Sequence, residues 1–447
     1  MRTRFLLPVM LLALAFGAAA QESANDSVKG AQKVNLFTTD FQHMTRGEYR
    51  YGGLPAGDAA VDDKASFILG RSRLYFGYER PHLTMRLTVQ HASLWGQSGS
   101  GSITLNEGWA RLSTLPWWDS TIFFAKLGRQ VLAYDDERIL GANDWAMTGI
   151  THDVATLGFN GKMNSLHIML AYNQNDENMD YGGSYYGSGA FTYKTMQNVW
   201  YHFEAPWFPL GLSLLYMNVG MQAGTQGVNE HIEWQQLAGG YINFHHDVFS
   251  LEGAYYKQSG RSENGIPIDA WMASAKAGLN PSKYYGFVAG YDYLSGDDYV
   301  VVRQSGTIGL PQHKVIKGFN SIFGSHHKFY GAMDFFYLST YISGFTPGLQ
   351  NAYIGAYAKP VKGLRVDLSY HYMATALKLD KLDMTLGHEL EAEVSYALMD
   401  DLTLAAGVSY MTGTYTMERL KLASENSNLR WVWVSIIANP RIFSKRW

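Results

Sequence analysis

Apolar and polar residues alternate along most of this chain with a period of two. From residue 364 to residue 372, every even position is apolar or tyrosine, whereas every odd position is polar or charged. Successive side chains of a β-strand point to opposite faces, so this stretch predicts a strand with one apolar and one polar face. Many such strands in series are typical of a barrel with lipid outside and water inside.

The alternation predicts eighteen strands, and most have roughly the 9–11 residues with which a tilted strand crosses a bilayer. They are residues 40–51, 66–78, 83–94, 105–112, 121–130, 153–160, 165–173, 195–204, 210–219, 232–245, 248–258, 268–279, 284–294, 349–358, 363–373, 388–397, 401–411 and 430–440. The predicted fold class is therefore all-β, a transmembrane antiparallel β-barrel of about eighteen strands. A soluble sandwich would show far less aromatic surface, and a propeller would repeat every 40–50 residues or so, a repeat that this sequence lacks.

The connections between the predicted strands alternate in length, as expected for short periplasmic turns and long extracellular loops. The long connections are residues 52–65, 131–152, 174–194, 295–348 and 412–429. Residues Phe329–Leu338 also resemble a strand. Counting them as a strand would give an odd number of strands and would place a short turn on the extracellular side. We therefore assign them to the loop of residues 295–348.

The first residues predict a secretory signal peptide. The chain has a charged start, followed by an apolar run from Phe5 to Phe16 and the small residues Ala18 and Ala20. This pattern predicts cleavage after Ala20. The apolar run is too short to span a membrane. The predicted domains are thus a signal peptide (residues 1–20), a periplasmic N-terminal segment (residues 21–39) and an outer-membrane barrel (residues 40–447).

Composition narrows the class of protein further. The chain has no cysteine, which excludes disulfides and thiolate metal sites. A formal net charge of −3 argues against a nucleic-acid partner. The 30 tyrosines and 12 tryptophans suit a bilayer interface, where an aromatic ring with a polar end is favoured. Outer-membrane lipid is therefore the first predicted partner, and the predicted location is the outer membrane of a Gram-negative bacterium.

Strand parity assigns charged side chains to the lumen, because Arg or Lys facing lipid at mid-bilayer costs about 2–4 kcal/mol. The predicted basic lining on the strands is Arg46, Arg50, Arg71, Arg73, Arg86, Arg111, Lys126 and Arg365, and the acidic lining is Glu48, Glu107, Glu389, Glu391 and Glu393. Arg129 breaks the parity of its strand, so we predict a bulge at Gly128. Two interpretations stay open: a strip that attracts anions, or ion pairs that brace a wet lumen.

An aqueous channel as wide as eighteen strands needs something to narrow it. Residues 295–348 are long enough to fold inward, and they carry aromatic side chains that could pack there. These are Phe319, Phe323, Tyr330, Phe335 and Phe336. Residues 131–152 are the other candidate.

One local sequence carries a family resemblance. Residues 127–153 read LGRQVLAYDDERILGANDWAMTGITHD, and residues 105–109, 290–297 and 319–334 add LNEGW, GYDYLSGD and FNSIFGSHHKFYGAMD. This set resembles the alginate-export porins of Gram-negative outer membranes over about residues 40–440. The resemblance implies an eighteen-stranded barrel with an arginine-rich constriction for an anionic polyuronate. It also implies that Arg129 and Arg138 line or brace the pore with Asp144 and Asp153 as partners, although the acidic run at 389–393 departs from that picture.

No enzyme or cofactor is predicted. The nucleophile motif Gly-x-Ser-x-Gly is absent from the sequence, and so are phosphate-binding glycine loops. The neighbouring histidines at 245–246 would point to opposite faces of a strand and make a poor chelate. Residues 173–180 could offer oxygen ligands to calcium, but without EF-hand spacing an acidic outer loop is the commoner explanation.

The sequence therefore supports three hypotheses about function. The first is a porin for passive passage of an anionic saccharide, such as an alginate-like polyuronate, or of another small anion. The second is a general diffusion pore without cargo preference, and the third is a barrel-based enzyme or adhesin acting through its long loops. The partners expected besides lipid are a saccharide cargo, anionic or neutral, and a periplasmic delivery protein.

Overall fold

The structure is a computed structural model, and it describes residues 35–52, 64–99, 101–114, 122–174, 185–187, 189, 191–297, 315–336, 346–379, 382–421 and 428–447. The predicted signal peptide lies outside the described residues. So do most of the predicted N-terminal segment and most of the oxygen-rich stretch at 173–180.

Nineteen strand segments form a single antiparallel sheet in the described residues. They are β1 (Leu36–Tyr51), β2 (Lys64–Arg80), β3 (Leu83–Leu94), β4 (Ser102–Thr114), β5 (Ile122–Gln130), β6 (His152–Asn160), β7 (Asn164–Tyr172), β8 (Thr195–Glu204), β9 (Leu210–Ala223), β10 (His231–His246), β11 (Phe249–Gly260), β12 (Ala270–Ser282), β13 (Tyr285–Leu294), β14 (Leu349–Ala358), β15 (Leu364–Ala374), β16 (Thr385–Met399), β17 (Leu402–Gly413), β18 (Asn428–Ala438) and β19 (Arg441–Arg446). A 3-10 turn at His326–Lys328 and one short helix, α1 (Tyr415–Lys421), complete the elements. Within the described residues, no helix is long and apolar enough to cross a membrane.

The last two segments act as one strand, which makes this a closed barrel of eighteen strands as predicted. β18 pairs with β1 from Tyr51 to His43, and β19 pairs with the remainder of β1, from Asp40 to Leu36. The break falls at Asn439 and Pro440, because proline has no N–H to donate to the ladder. Every other strand pairs with its neighbours in sequence.

The two faces of the barrel wall differ as the alternation predicts. On β17 and β18, Val408 and Val434 point outward and are exposed, whereas Ser409 and Trp433 of the opposite parity are buried. Exposed apolar side chains on every other residue would be costly in water but favourable against lipid tails. The outward face therefore has the apolar character expected of a surface in contact with lipid.

Most strands extend beyond their predicted ends, mainly at the side of the long loops. β9 and β10 stay paired up to Ala223 and His231, where the apolar alternation has already stopped. A ladder needs only backbone groups, so it continues past the bilayer wherever both chains remain extended. Both ends of the described chain lie at the short-turn side, where the N–H of Asn35 donates to the carbonyl of Trp447 at 2.9 Å.

Two long connections fold into the barrel, and we name them inner loop 1 (residues 131–151) and inner loop 2 (residues 315–336). Backbone groups of both loops and the side chain of Arg138 contact inward-facing residues of β1, β11, β13 and β16, so both loops lie within the lumen. They also contact each other, since the N–H of Gly141 donates to the carbonyl of Phe323 at 2.9 Å. Both regions proposed from the sequence as constrictions thus narrow the barrel. Residues 329–336 form no strand, in agreement with their assignment to a loop.

Apolar side chains of the two inner loops form a core with inward-facing side chains of the barrel strands. The buried members from the loops are Leu132, Ile139, Leu140, Phe319, Phe323, Tyr330, Phe335 and Phe336. They pack on inward-facing methionines, leucines and tyrosines of the strands, including Met169, Met217 and Tyr256. The lumen is therefore filled with apolar side chains around the loops and is lined with charges elsewhere.

Candidate functional site

In the structure, the charged residues on the strands lie on the face of the barrel wall that the sequence predicts, with two exceptions. Arg46, Glu48, Arg50, Arg71, Arg73, Arg86, Glu107, Arg111, Lys126, Arg365, Glu389, Glu391 and Glu393 all share the inward parity of their strands. The seven basic members on β1 to β5, which we name the basic wall, are Arg46, Arg50, Arg71, Arg73, Arg86, Arg111 and Lys126. The exceptions are Arg129 and Asp153.

Arg129 and Asp153 lie on the outward face, contrary to the prediction that they line the pore. The pairing of β5 with β4 and β6 runs through Gly128 without a shift, so the predicted bulge is absent there. Arg129 therefore shares its face with Leu127, which is 55% exposed. Its guanidinium bonds both oxygens of Asp153 at 2.9 and 2.7 Å. Pairing with each other at the ends of the strands balances both charges on this apolar face.

The bulge in this region lies one strand earlier. Thr88 pairs with Glu107, but Val89 pairs with Leu105, which leaves Asn106 as the extra residue of β4. The bulge turns both Asn106 and Glu107 away from lipid, and both are buried. Asn106 could not be predicted as an inward residue from strand parity, because a bulge breaks that parity.

The first cluster of the basic wall centres on Glu48. The Nε of Arg46 lies 2.8 Å from its Oε1, and Nη2 of Arg50 lies 2.8 Å from its Oε2. The indole N–H of Trp431 also donates to Oε2, at 3.0 Å. The Glu48 side chain is fully buried, whereas that of Arg50 is 43% exposed to the lumen. One carboxylate shared by two guanidinium groups leaves this cluster with a net positive charge.

The second cluster repeats this arrangement with a carboxylate from inner loop 1. Nη1 of Arg73 lies 2.5 Å from Oδ1 of Asp144, and Nη1 of Arg71 lies 3.3 Å from the same oxygen. Asp144 was predicted to partner Arg129 or Arg138, but the loop folds across the lumen and brings it to β2 instead. Again two arginines share one carboxylate, and the net charge is positive.

Further along the wall, Arg86 pairs with Glu107 at 3.0 Å. The two remaining basic side chains contact aromatic rings rather than carboxylates. Nζ of Lys126 lies 4.0 Å from the ring centre of Trp109, and the guanidinium carbon of Arg111 lies 4.1 Å from that of Phe124. The carboxylates on this wall thus balance only part of its positive charge.

The tip of inner loop 1 (residues 143–149) presents backbone carbonyls to the wall, and four inward side chains donate to them. The contacts are Arg46 to Trp145 at 3.1 Å, Arg71 to Asp144 at 2.8 Å and to Ala146 at 3.1 Å, Gln90 to Thr148 at 3.4 Å, and Asn106 to Thr148 at 3.2 Å. The wall therefore supplies donors and the tip supplies acceptors.

Trp145 fixes the tip against the seam where the barrel closes. Its ring stacks on His327 of inner loop 2 at 4.1 Å and meets Trp431 and Trp433 edge-on at 5.7 and 5.1 Å. The guanidinium carbon of Arg46 lies 3.7 Å from the ring centre, within the range of a cation–π interaction. Trp145 belongs to the motif at 127–153, but its role is not evident from the sequence because its partners are distant in the chain.

Arg138 joins the two inner loops to the opposite wall, and its side chain is only 4% exposed. It pairs with Asp136 at 3.1 Å and with Asp292 of β13 at 3.1 Å, and it donates to the hydroxyl of Tyr330 at 2.9 Å. The guanidinium carbon also lies 4.0 Å from the ring centre of Phe329. Arg138 therefore braces the loops within the lumen, with partners other than the predicted Asp144 and Asp153.

The acidic run on β16 holds inner loop 2. Oε1 of Glu389 accepts from the N–H of Met333 at 2.9 Å, and Oε1 of Glu391 accepts from the N–H of Ala332 at 2.6 Å. Glu389 is fully buried, whereas Glu393 is exposed. On the neighbouring strand, Arg365 is bonded to both oxygens of Asp367 at 2.7 and 2.6 Å. Two of the three glutamates thus serve as loop anchors, which reduces the acidic surface that a passing anion would meet.

Glu137 connects the two loops directly. Its Oε2 accepts from Ser325 Oγ at 2.7 Å and from the N–H of Ala142 at 3.0 Å, while Oε1 bonds Lys328. Burial alone would raise the pKa of the Glu137 carboxyl, but these donors outweigh it and the pKa lies below its ordinary value. The contact is therefore strongest while Glu137 is ionised and is lost as the pH falls through that pKa.

Acidification should also weaken the docking of inner loop 2 through His326. Burial lowers the pKa of this imidazole from 6.5 to about 4, so the folded loop keeps it neutral where the unfolded chain would bind a proton. Its contribution is complete above pH 6.5 and is lost progressively toward pH 4. We expect the temperature of unfolding in detergent, followed by gel mobility, to fall less between pH 7 and pH 4 in His326→Gln than in the unsubstituted protein. Parallel profiles would contradict this source of acid sensitivity.

In the part of the chain that the structure describes, no three residues among histidine, cysteine, aspartate and glutamate are grouped so that they could hold a metal ion.

Comparison with known proteins identifies the fold. No protein-family model matches the sequence, and no curated protein matches it. Among solved structures, Pseudomonas aeruginosa OccK2 (OpdF) in complex with glucuronate is 12% identical, with a TM-score of 0.58 over 91% of this chain and 98% of that chain. A BenF-like porin from Pseudomonas fluorescens Pf-5 is 12% identical, with a TM-score of 0.58 over 91% and 99%. Acinetobacter baumannii OccAB1 is 10% identical, with a TM-score of 0.56 over 91% and 97%.

These identities are low, so the likeness concerns the fold. The barrel closure, the strand count and the near-complete coverage of both chains agree with one another. The chain therefore has the closed eighteen-stranded antiparallel β-barrel fold that is also found in outer-membrane porins.

Proposed function

We propose that this protein is an outer-membrane channel for small anionic solutes, with saccharides of uronate size as the preferred class. The observation that carries the proposal is the basic wall at the constriction, where Glu48 and Asp144 are each shared by two arginines. Unbalanced positive charge in a narrow, partly dry passage attracts anions and raises their local concentration. The wall faces the lumen next to the loops that narrow it, so a passing solute meets this charge.

The size of the cargo follows from the inner loops. An alginate-like polyuronate, which the motif resemblance suggests, would need a continuous open bore along the barrel. The buried core of the two loops occupies much of the lumen, so a single sugar acid fits the proposal better than a polymer. The solved OccK2 (OpdF) structure holds glucuronate, and this supports the same class of solute for a barrel of this fold.

Ion selectivity in planar bilayers tests the proposal. Arg50 and Arg86 are the best probes because each side chain is 43% exposed and therefore acts directly on a passing ion. We expect the unsubstituted channel to favour chloride over potassium. The double variant Arg50→Glu with Arg86→Glu should lower that permeability ratio about threefold or more, because four units of charge change in the passage.

Arg261→Glu is the matched control, since this exposed arginine lies in an outer loop and bonds the carbonyl of Gly265. It should leave the permeability ratio almost unchanged. An ohmic pore that is indifferent to Arg50 and Arg86 would contradict the proposal and would identify a general diffusion pore.

A further inference from the structure

The Asp144 carboxylate is held differently from the buried acids of the lumen, such as Glu48 and Glu389. Its two partners are almost completely buried, with Arg71 3% and Arg73 8% exposed in their side chains, whereas the Asp144 side chain is 55% exposed. The arginines are thus fixed in the wall, and the aspartate reaches them from the water-filled side. An exposed carboxylate can leave by rotation of its own side chain.

The two guanidinium groups are also oriented by partners other than the Asp144 carboxylate. Oε1 of Gln42 accepts from Nη2 of Arg71 at 2.9 Å, and Oε1 of Gln90 accepts from Nε of Arg73 at 2.6 Å. Loop carbonyls hold Arg71 as well, at 2.8 and 3.1 Å. The pair would therefore keep its geometry if the carboxylate left, and its remaining N–H groups would then lack an acceptor.

A preorganised pair of arginines is suited to binding a carboxylate, because the planar N–H groups match the two carboxylate oxygens. Oδ1 of Asp144 contacts both arginines, and Oδ2 lies 3.3 Å from Nη2 of Arg71. A carboxylate on a solute would find the same donors in the same place. The base of the loop need not move, since Glu137 and Arg138 anchor it elsewhere.

We propose that Arg71 and Arg73 form a binding subsite for the carboxylate of a passing solute, and that Asp144 occupies this subsite as an internal substitute when no solute is present. This inference rests on the proposed function and adds a location and a mode of exchange to it. The solute carboxylate replaces Asp144, which turns into the lumen water. Asp144 then competes for the same arginines and shortens the stay of the solute, as rapid conduction through a binding site requires.

Single-channel recordings with glucuronate as the probe and glucose as its neutral counterpart test the subsite. If Asp144 occupies the pair about nine-tenths of the time, its removal makes the apparent affinity about tenfold tighter. We expect glucuronate to interrupt the current of the Asp144→Ala channel with about tenfold longer residence than in the unsubstituted channel. The residence of glucose should be the same in the Asp144→Ala channel and in the unsubstituted channel. Asp144→Asn keeps the size of the side chain and its backbone contacts, and it should shift glucuronate residence in the same direction.

Asp153→Ala is the matched control, because it also removes a carboxylate from an arginine, but on the outward face. It should leave glucuronate residence unchanged, and adding Arg73→Gln to Asp144→Ala should abolish the gain. Unchanged residence in both Asp144 variants of a channel that remains anion-selective would overturn the subsite and leave the proposed function standing. Loss of the anion preference in the unsubstituted channel would overturn the proposed function itself.

Discussion

Replacing Arg138 with methionine is expected to release both inner loops from the barrel wall. Methionine fills similar space without charge, so Asp136 and Asp292 would stay buried without their partner. Removing one member of a buried ion pair costs about 3–5 kcal/mol. We therefore expect the two inner loops to move so that water reaches both carboxylates. The barrel ladder does not include this side chain, so the wall should remain closed.

Single-channel recordings measure this outcome as a larger and noisier conductance. Gel mobility in detergent checks that the barrel itself is intact before heating. Arg129→Met is the matched control, because Arg129 pairs with Asp153 on the outward face and is partly exposed. Exposed pairs contribute about 0–1 kcal/mol, so this variant should conduct as the unsubstituted channel does. A quiet Arg138→Met channel of normal conductance would show that the loops are held without this residue.

Replacing Trp145 with alanine should widen the constriction while both loops stay anchored at their bases. The indole lies between Arg46 and His327 and against two tryptophans of β18. Truncating a fully buried tryptophan costs about 3–5 kcal/mol, and a half-buried one costs roughly half of that. We expect about a twofold increase in conductance with the anion preference retained, because the basic wall is still present.

The control for Trp145 is Trp207→Ala, since Trp207 lies in a short turn and is 77% exposed. Its conductance should match that of the unsubstituted channel. If Trp145→Ala conducts no more than this control, the narrowest point lies elsewhere in the lumen. Conductance with potassium chloride and with a bulkier anion would then locate that point.

The strands were predictable because each needs only local information. Leu83–Leu94, Thr195–Glu204 and Leu349–Ala358 were predicted with their observed bounds. In such a strand, apolar side chains face outward and polar side chains face the lumen. The alternation of the two types is therefore enough to predict the strand. The ends were less certain, because backbone pairing continues where the alternation has stopped.

The candidate site was predictable only in part. Parity placed Arg71 and Glu389 on the inward face correctly, but it could not give their partners. The assumption that every charge faces the lumen failed at Arg129, where an ion pair at the end of a strand tolerates an outward charge. Parity also missed Asn106, because one extra residue in β4 shifts the side chains that follow.

The amino-acid sequence by itself determined the eighteen strands, their inward and outward faces and the excess of basic residues on the first five strands. Only the tertiary structure decided that Asp144 meets Arg71 and Arg73, that Arg138 meets Asp292, and that the acidic run holds inner loop 2. These contacts join residues far apart in the chain. They exist because the barrel closes and two loops enter it, and neither event leaves a periodic signal in the sequence.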